Sequence, residues 1–245
     1  AEVGISTGGA VSNTGIRLEK LGSRVAFCAR VGQDSFGQLT IDRLRKSGNP
    51  QGIRVISQGT SSYTIVIAPP EVDRIFLHHP GVNNDFCADD IDPHLVEQCR
   101  HFHFGYPPLM RRMFENEGAE LERVFRIAKD AGATTSCDMA LPDPATEAGQ
   151  ADWPRILKRI LPHIDLFLPS IEEALYMVSP DAFLKRKAEH DGDELIDHLT
   201  PGEYSDLADT LLGLGASFTT LKAGHRGLFI KSRTCPLSDW SNREL

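Results

Sequence analysis

The sequence of 245 residues has no apolar run approaching the ~18 residues that a helical membrane span requires, so no membrane partner is expected. It has no C-x-x-C pair. The five cysteines (Cys28, Cys87, Cys99, Cys137 and Cys235) are odd in number and scattered, which argues against a dithiol or zinc site and suits a reducing, cytoplasmic setting. Positive charge is short: 26 Lys and Arg against 34 Asp and Glu give a formal net charge of -8, with no basic stripe interleaved with aromatics. Nucleic acid is therefore not an expected partner. A nucleotide is still allowed, because phosphates are held by backbone N–H groups and one or two local cations. The absence of G-x-G-x-x-G between a strand and a helix sets aside a dinucleotide-binding dehydrogenase. His78-His79 and His101-x-His103 lack carboxylate or cysteine partners at metal spacing and are expected to be strand residues. No signal peptide is visible. The chain opens on Ala1 without a Met and closes on the polar stretch Ser238 to Glu244 and Leu245, so truncation at both ends is expected.

The composition is otherwise that of a soluble protein, with 40% hydrophobic and 24% charged residues, and neither a repeat nor a low-complexity tract. From about His101 onward, helical and extended patterns alternate as a parallel sheet with crossover helices requires. Leu121, Val124, Phe125, Ala128 and Ala131 fall at helical spacing, Gly132 supplies a stop, and Thr134 to Asp138 reads as a strand. Trp153, Ile156, Leu157, Ile160 and Leu161 mark a helix before a strand at Ile164 to Leu168. Leu207, Ala208, Leu211 and Leu212 mark another before Gly215 and a strand at Ser217 to Leu221. Upstream, the β-rich runs Tyr63 to Ala68 and Arg74 to His79 flank a turn built on Pro69, Pro70 and Asp73, which predicts an antiparallel hairpin. The expected architecture is one α/β domain over residues 1–245, with a small β insertion at about 53–82.

In an open parallel sheet, ligands gather at the carboxyl ends of the strands. That rule selects Asp138, then Pro169, Ser170 and Glu173, and then Lys222, Gly224 and Gly227, each following an expected strand. Carboxylates, a helix N-terminus and a glycine turn on one rim are the parts of a nucleotide and metal site. Each also has a purely structural role open to it. Ser170-x-x-Glu173 is a capping box, Asp138 can open the polar loop 138–152, and Gly224 and Gly227 can be hairpin glycines before a strand at Leu228 to Lys231. Near the N-terminus, Gly8-Gly9-Ala10-Val11-Ser12-Asn13 leads into a helix ending at Gly22. Its glycines let a ligand approach bare backbone, and the Asn13 amide suits paired hydroxyls; alternatively, Ser12 or Asn13 caps the helix after a flexible loop. Ser35-x-x-Gln38 reads as a capping box for a helix from Phe36 to Lys46, which leaves Asp34 without a necessary substrate role.

Taken together, Gly8 to Asn13 (G-G-A-V-S-N), Leu21 to Gly37, His79 to Asn83 (H-P-G-V-N), Phe167 to Glu173 (F-L-P-S-I-E-E) and Leu221 to Gly227 (L-K-A-G-H-R-G) resemble the ribokinase/PfkB carbohydrate kinases over almost the whole chain. The resemblance implies a ribokinase-like α/β fold: a Rossmann-like, mostly parallel central sheet flanked by helices, with a small β-sheet lid. It also implies transfer of a phosphoryl group from ATP to a sugar hydroxyl. Gly8, Gly9, Asn13 and Tyr106 would meet the sugar, Ser170, Lys222, Gly224 and Gly227 the ATP, and Glu173 would hold Mg2+ through water. The hairpin Tyr63 to His79 would be the lid and a contact for a second subunit. Two departures stand out. Ser170 replaces the family's usual Asn, and the G-A-G-D motif that supplies the family's Asp base is absent from these residues. No catalytic residue is therefore assigned, and the 245-residue piece itself is expected to be inactive. A nucleoside kinase on the same scaffold and a non-catalytic sugar-binding relative remain alternatives.

Overall fold

The computed structural model describes residues 4–69, 75–190 and 195–234; Pro70, Asp73 and Arg74 of the expected turn, Cys235 and the polar C-terminal stretch lie outside the described residues. A π-helical turn at Val11–Gly15 leads into α1 (Ile16–Lys20). This helix stops where Gly22 adopts φ +92° and Ser23 N–H returns 3.0 Å to Leu18 O. Strands β1 (Ala26–Gly32) and β2 (Asn49–Ile56) pair in parallel, with α2 (Ser35–Arg45) as their crossover. The expected Ser35 capping box is not what starts α2. Asp34 is the N-cap: its carboxylate accepts from Gly37 N–H at 2.8 Å, because the extended backbone leaving β1 aims this side chain at the first turn.

Strands β3 (Tyr63–Ile67) and β4 (Ile75–His79) form the antiparallel hairpin as a separate two-stranded sheet. The hairpin begins later than residue 53, since Ile53 to Ile56 are ladder partners of Ala29 to Gly32 in β2. After α3 (Pro93–Val96) comes a five-stranded sheet in sequential order: β5 (His101–Gly105), β6 (Thr134–Asp138), β7 (Leu166–Phe167), β8 (Phe218–Lys222) and β9 (Leu228–Ser232). The first four are parallel and β9 is antiparallel. Two helices, α4 (Arg111–Phe114) and α5 (Ala119–Asp130), cross from β5 to β6, and α6 (Trp153–Ile160) crosses from β6 to β7. Three more, α7 (Ile171–Val178), α8 (Pro180–Glu189) and α9 (Pro201–Gly213), separate β7 from β8. β7 is shorter than the apolar run Ile164 to Leu168, because the Ile164 N–H is already bonded to Leu161 O in the preceding 3-10 turn.

The residues read at helical spacing are the buried ones. Leu121, Val124, Phe125 and Ala128 of α5 and Trp153, Ile156, Leu157 and Ile160 of α6 form one core with β5 and β6. Phe102 and Phe104 alternate onto Phe125, with ring centroids 6.2 and 6.1 Å apart. On the other face, His101 Nε2 and His103 Nδ1 share the Ser136 hydroxyl at 2.8 and 2.7 Å, and burial pushes both imidazoles below the usual range. Both histidine pairs are strand residues, as expected. Buried Asp165 ties the sheet to α5: it accepts from Thr135 N–H at 2.8 Å and from Lys129 Nζ at 2.7 Å. Asp165→Ala should lower unfolding stability by about 3 kcal/mol in urea titration, because it leaves the Thr135 N–H and the Lys129 ammonium without their common acceptor.

Candidate active site

Four parallel strands in sequential order set four strand ends side by side. Gly105 closes β5 and is followed by Tyr106, whose backbone is left-handed at φ 67°, ψ 52°. For a bulky residue this costs about 1–2 kcal/mol. Two features hold it there: Tyr106 N–H donates to Asp138 O at 3.2 Å, and the following Pro107 disfavours right-handed helical backbone. A Cβ on Gly105 would fall 2.4 Å from the Ala10 side chain. Glycine at this point lets Ala10 rest against the end of β5, which brings the N-terminal loop up to the rim at that residue. Nothing lies within 4 Å of where side chains at Gly8 or Gly9 would start, and Gly9 has φ +75°, so this backbone is bare and open. Neither Ser12 nor Asn13 is an N-cap. Both lie inside the π-helical turn, whose cap is Ala10 without a side-chain bond; Ser12 is buried and Asn13 is exposed.

At the end of β6, the Asp138 carboxylate accepts from Met139 N–H at 2.8 Å and forms a close ion pair with Lys222 Nζ from the end of β8. This pair spans the short β7, beyond which Lys222 N–H donates to Pro169 O at 3.0 Å and Ser170 bridges to Lys222. Ser170 and Glu173 form the complete capping box of α7: Glu173 N–H donates to Ser170 Oγ at 3.1 Å, and Ser170 N–H to Glu173 Oε2 at 2.6 Å. The box therefore belongs to the rim as well as to the helix. Burial raises the Glu173 pKa above the ordinary carboxylate range, and the Asp138 charge adds to this, while the Ser170 N–H and the Lys222 ammonium pull the other way. Just past β8, a 3-10 turn at Gly224–Arg226 links to β9. Gly224 (φ +51°) and Gly227 (φ +88°) are hairpin glycines by conformation; space around Gly227 is open, and Gly224 would meet only the tip of Ile196, at 3.0 Å.

Thus Tyr106, Asp138, Ser170, Glu173 and Lys222 lie together, flanked by the two glycine segments. Sequence reasoning selected Asp138 and Lys222 separately and did not pair them, because their contact depends on sheet order. Gly105 was not singled out, and its only signal was glycine at a strand end. Among the described residues, no group of three or more His, Cys, Asp or Glu is placed to hold a metal ion. A Mg2+ carried in by phosphates asks less of the protein, one carboxylate and water, and the one-sided bonding of Glu173 suits it.

The sheet order, helical crossovers and separate hairpin define an α/β fold of the ribokinase-like class. Residues 1–205 match the pattern of the pfkB family carbohydrate kinases, and the chain belongs to that family. It is similar to a fructokinase of Xylella fastidiosa solved with bound ATP, with a TM-score of 0.70 at 20% identity, covering 93% of this chain and 66% of that one. It is also similar to an E. coli protein of ribokinase II type solved with ATP and Mg2+, with a TM-score of 0.67 at 22% identity over 96% of this chain and 69% of that one. At such identities the likeness concerns the fold. In sequence it is similar to Fructokinase-1 of Zea mays, 31% identical over 134 residues, 54% of this chain and 41% of the relative. Fructokinase-1 of Oryza sativa subsp. japonica is 29% identical over 134 residues, again 54% and 41%. The chain spans less than half the length of these plant relatives.

Lys222→Met should raise the Glu173 pKa further, measured by 13C NMR titration of its carboxyl, because the cation that favours the carboxylate is lost. The sign for stability follows. Glu173 titrates higher in the folded than in the unfolded chain, so stability falls as pH rises from the unfolded carboxyl value through the folded one, and the variant should extend that fall to higher pH.

Proposed function

We propose that the whole protein is an ATP-dependent kinase that phosphorylates a sugar hydroxyl, and that the described rim is its substrate and nucleotide site. The observation that carries this reading is Glu173, a half-buried carboxylate fixed at the start of α7 beside Lys222, the residue that closes β8 just before the glycine turn. The bare backbone of Gly8 and Gly9, the Asn13 amide and Tyr106 hold and orient sugar hydroxyls. Lys222, Gly224 and Gly227 lie along the ATP, where backbone N–H groups and one ammonium match phosphate oxygens. Glu173 holds Mg2+ through water, and the Ser170 hydroxyl takes the place of a longer amide in the same polar network. Mg2+, when bound with ATP, neutralises phosphate charge. The protein's own contribution is positioning: it keeps acceptor and donor in line and excludes water as a competing acceptor.

The β3–β4 hairpin is the lid in this reading. Its strands are apolar on both faces and exposed throughout, with Ile65 and Leu77 on one face and Val66 and Phe76 on the other, so one face covers sugar and the other meets a second subunit. The four described cysteines are unpaired, and burial pushes the Cys28 thiol up to about 12, which fits a structural thiol in a reducing cytoplasm. Among the described residues, no helix is long and apolar enough to cross a membrane.

No G-A-G-D sequence occurs in the 245 residues, so binding without turnover is the expectation for this chain, and turnover for a protein that carries the motif. The departure at Ser170 favours a non-catalytic sugar-binding relative as the second reading. A full-length protein that binds sugar yet releases no ADP would decide for it.

Calorimetry with a non-hydrolysable Mg-ATP analogue, alone and with fructose, ribose or adenosine, tests binding and acceptor class together. Nucleotide binding that strengthens with a sugar is expected; no nucleotide binding would sink the proposal, and preference for adenosine would move it to a nucleoside kinase. Glu173→Gln keeps the capping box, since glutamine fills it equally well. This variant should weaken the Mg-dependent part of nucleotide affinity about tenfold, the equivalent of one charge-assisted contact, and leave metal-free nucleotide affinity unchanged. Because the Glu173 pKa is raised, wild-type Mg-nucleotide affinity should already decline on the acid side at a pH above the ordinary carboxylate range.

A further inference from the structure

Every described residue of β3 and β4 is exposed, and the ring contact of the hairpin with α2, Tyr63 on Phe36, lies where β3 begins. The root is therefore where the angle of the hairpin against α2 is set. The chain enters β3 through Ser61, which is only 3% exposed. Ser61 N–H donates to Asp34 Oδ2 at 2.7 Å, and its hydroxyl donates to Asp34 Oδ1 at 2.7 Å. The same hydroxyl accepts from Gly32 N–H at 2.8 Å, while Asp34 Oδ1 also accepts from Gly37 N–H at 2.8 Å. One carboxylate and the Ser61 hydroxyl bound to it thus join the last residue of β1, the first turn of α2 and the entrance to the hairpin.

The neighbouring glycines show how closely this junction is drawn. A Cβ at Gly32 would stand 2.6 Å from Ser61 N, one at Gly37 2.1 Å from Gly32 O, and one at Gly81 2.2 Å from Thr60 O. At the end of the returning strand, Thr60 Oγ1 lies 2.8 Å from His79 Nε2, and in the 3-10 turn that follows Val82 N–H donates to Thr60 O at 2.9 Å. The Tyr63 ring meets Phe36 of α2 at 5.5 Å, directly above the clamp. An aspartate is what this geometry calls for. Three donors converge on two oxygens, and a carboxylate accepts at every lone pair, whereas an asparagine would turn an N–H2 toward one of the donors. The Ser61 N–H, followed by those of Gly37 and Phe36 and the Ser61 hydroxyl, holds the Asp34 carboxyl below its usual range.

We propose that Asp34 and Ser61 are positioning residues that form a hinge clamp, setting the resting angle of the β3–β4 hairpin. The clamp stands on this geometry alone. Its consequence, that the hairpin is held ready to close over a sugar, rests on the kinase reading.

The test uses Ser61→Ala, which removes the hydroxyl and keeps the backbone bond to Asp34; Asp34→Asn; the conservative Ser61→Thr; and Asp42→Asn, an exposed change in α2, as control. Nitroxides carried on encoded ketone residues at positions 65 and 43 report the hairpin-to-α2 distance by double electron–electron resonance. The distribution should broaden about twofold in Ser61→Ala and in Asp34→Asn, and return to wild-type width in Ser61→Thr, with the control unchanged. Fructose affinity should fall about fivefold in Ser61→Ala while Mg-nucleotide affinity stays within twofold, because a smaller fraction of molecules holds the binding-competent angle. An unchanged distance distribution in both disruptive variants overturns the clamp. So does broadening in Ser61→Ala accompanied by faster amide exchange throughout β5 to β8, since that would be general loosening. If the wild type binds no sugar, the distances still decide the clamp, and the missing affinity counts against the kinase reading alone.

Discussion

The ion pair between Asp138 and Lys222 joins the ends of two strands that are not neighbours. Asp138 closes β6 and Lys222 closes β8, with the two-residue β7 between them. Past Phe167 the chain still bonds to both sides, Leu168 N–H to Cys137 O at 2.8 Å and Lys222 N–H to Pro169 O at 3.0 Å, and Ser170, which bridges to Lys222, then starts α7. Sheet order and a capping box together assemble a charged rim from segments separated by 84 residues of sequence.

Charge balance at this rim is arranged so that Glu173 is left short of cations. One of its oxygens is committed to the Ser170 N–H, and the nearest ammonium, Lys222, is shared with Asp138. A half-buried carboxylate beside a second carboxylate titrates high even with a shared ammonium near it. Capping and ligand binding were competing explanations for Ser170-x-x-Glu173 in the sequence; in three dimensions the capping box is formed and occupies one carboxylate oxygen, so the two explanations do not exclude each other.

Much of this was legible beforehand, for a physical reason. Helix-spaced apolar residues in α5, α6 and α9 and the run Thr134 to Asp138 encode burial locally, and burial decided their structure. Strand-end polar residues were also legible, because the loop after each strand is written beside it. What could not be read was contact between distant segments: the Asp138–Lys222 pair, the need for glycine at Gly105 so that Ala10 can approach, and the role of Asp34. The Ser35-x-x-Gln38 pattern misled because it satisfies the capping rule as well as Asp34 does; backbone direction out of β1 chose between them. The expected length of β7 failed for a similar reason, since hydrophobicity marks burial and does not show that a preceding turn has already used a backbone donor.

Two mechanical regimes follow from where glycine and burial fall. The rim is built on strands whose far ends are anchored in a continuous core, so its groups are held by packing as well as by hydrogen bonds. The hairpin differs: its strands bond to each other, are exposed throughout and meet α2 at the root, through the Asp34–Ser61 bonds and the Tyr63–Phe36 ring contact. Groups held on a packed floor keep their spacing, whereas a hairpin joined at its root can change its angle without disturbing them.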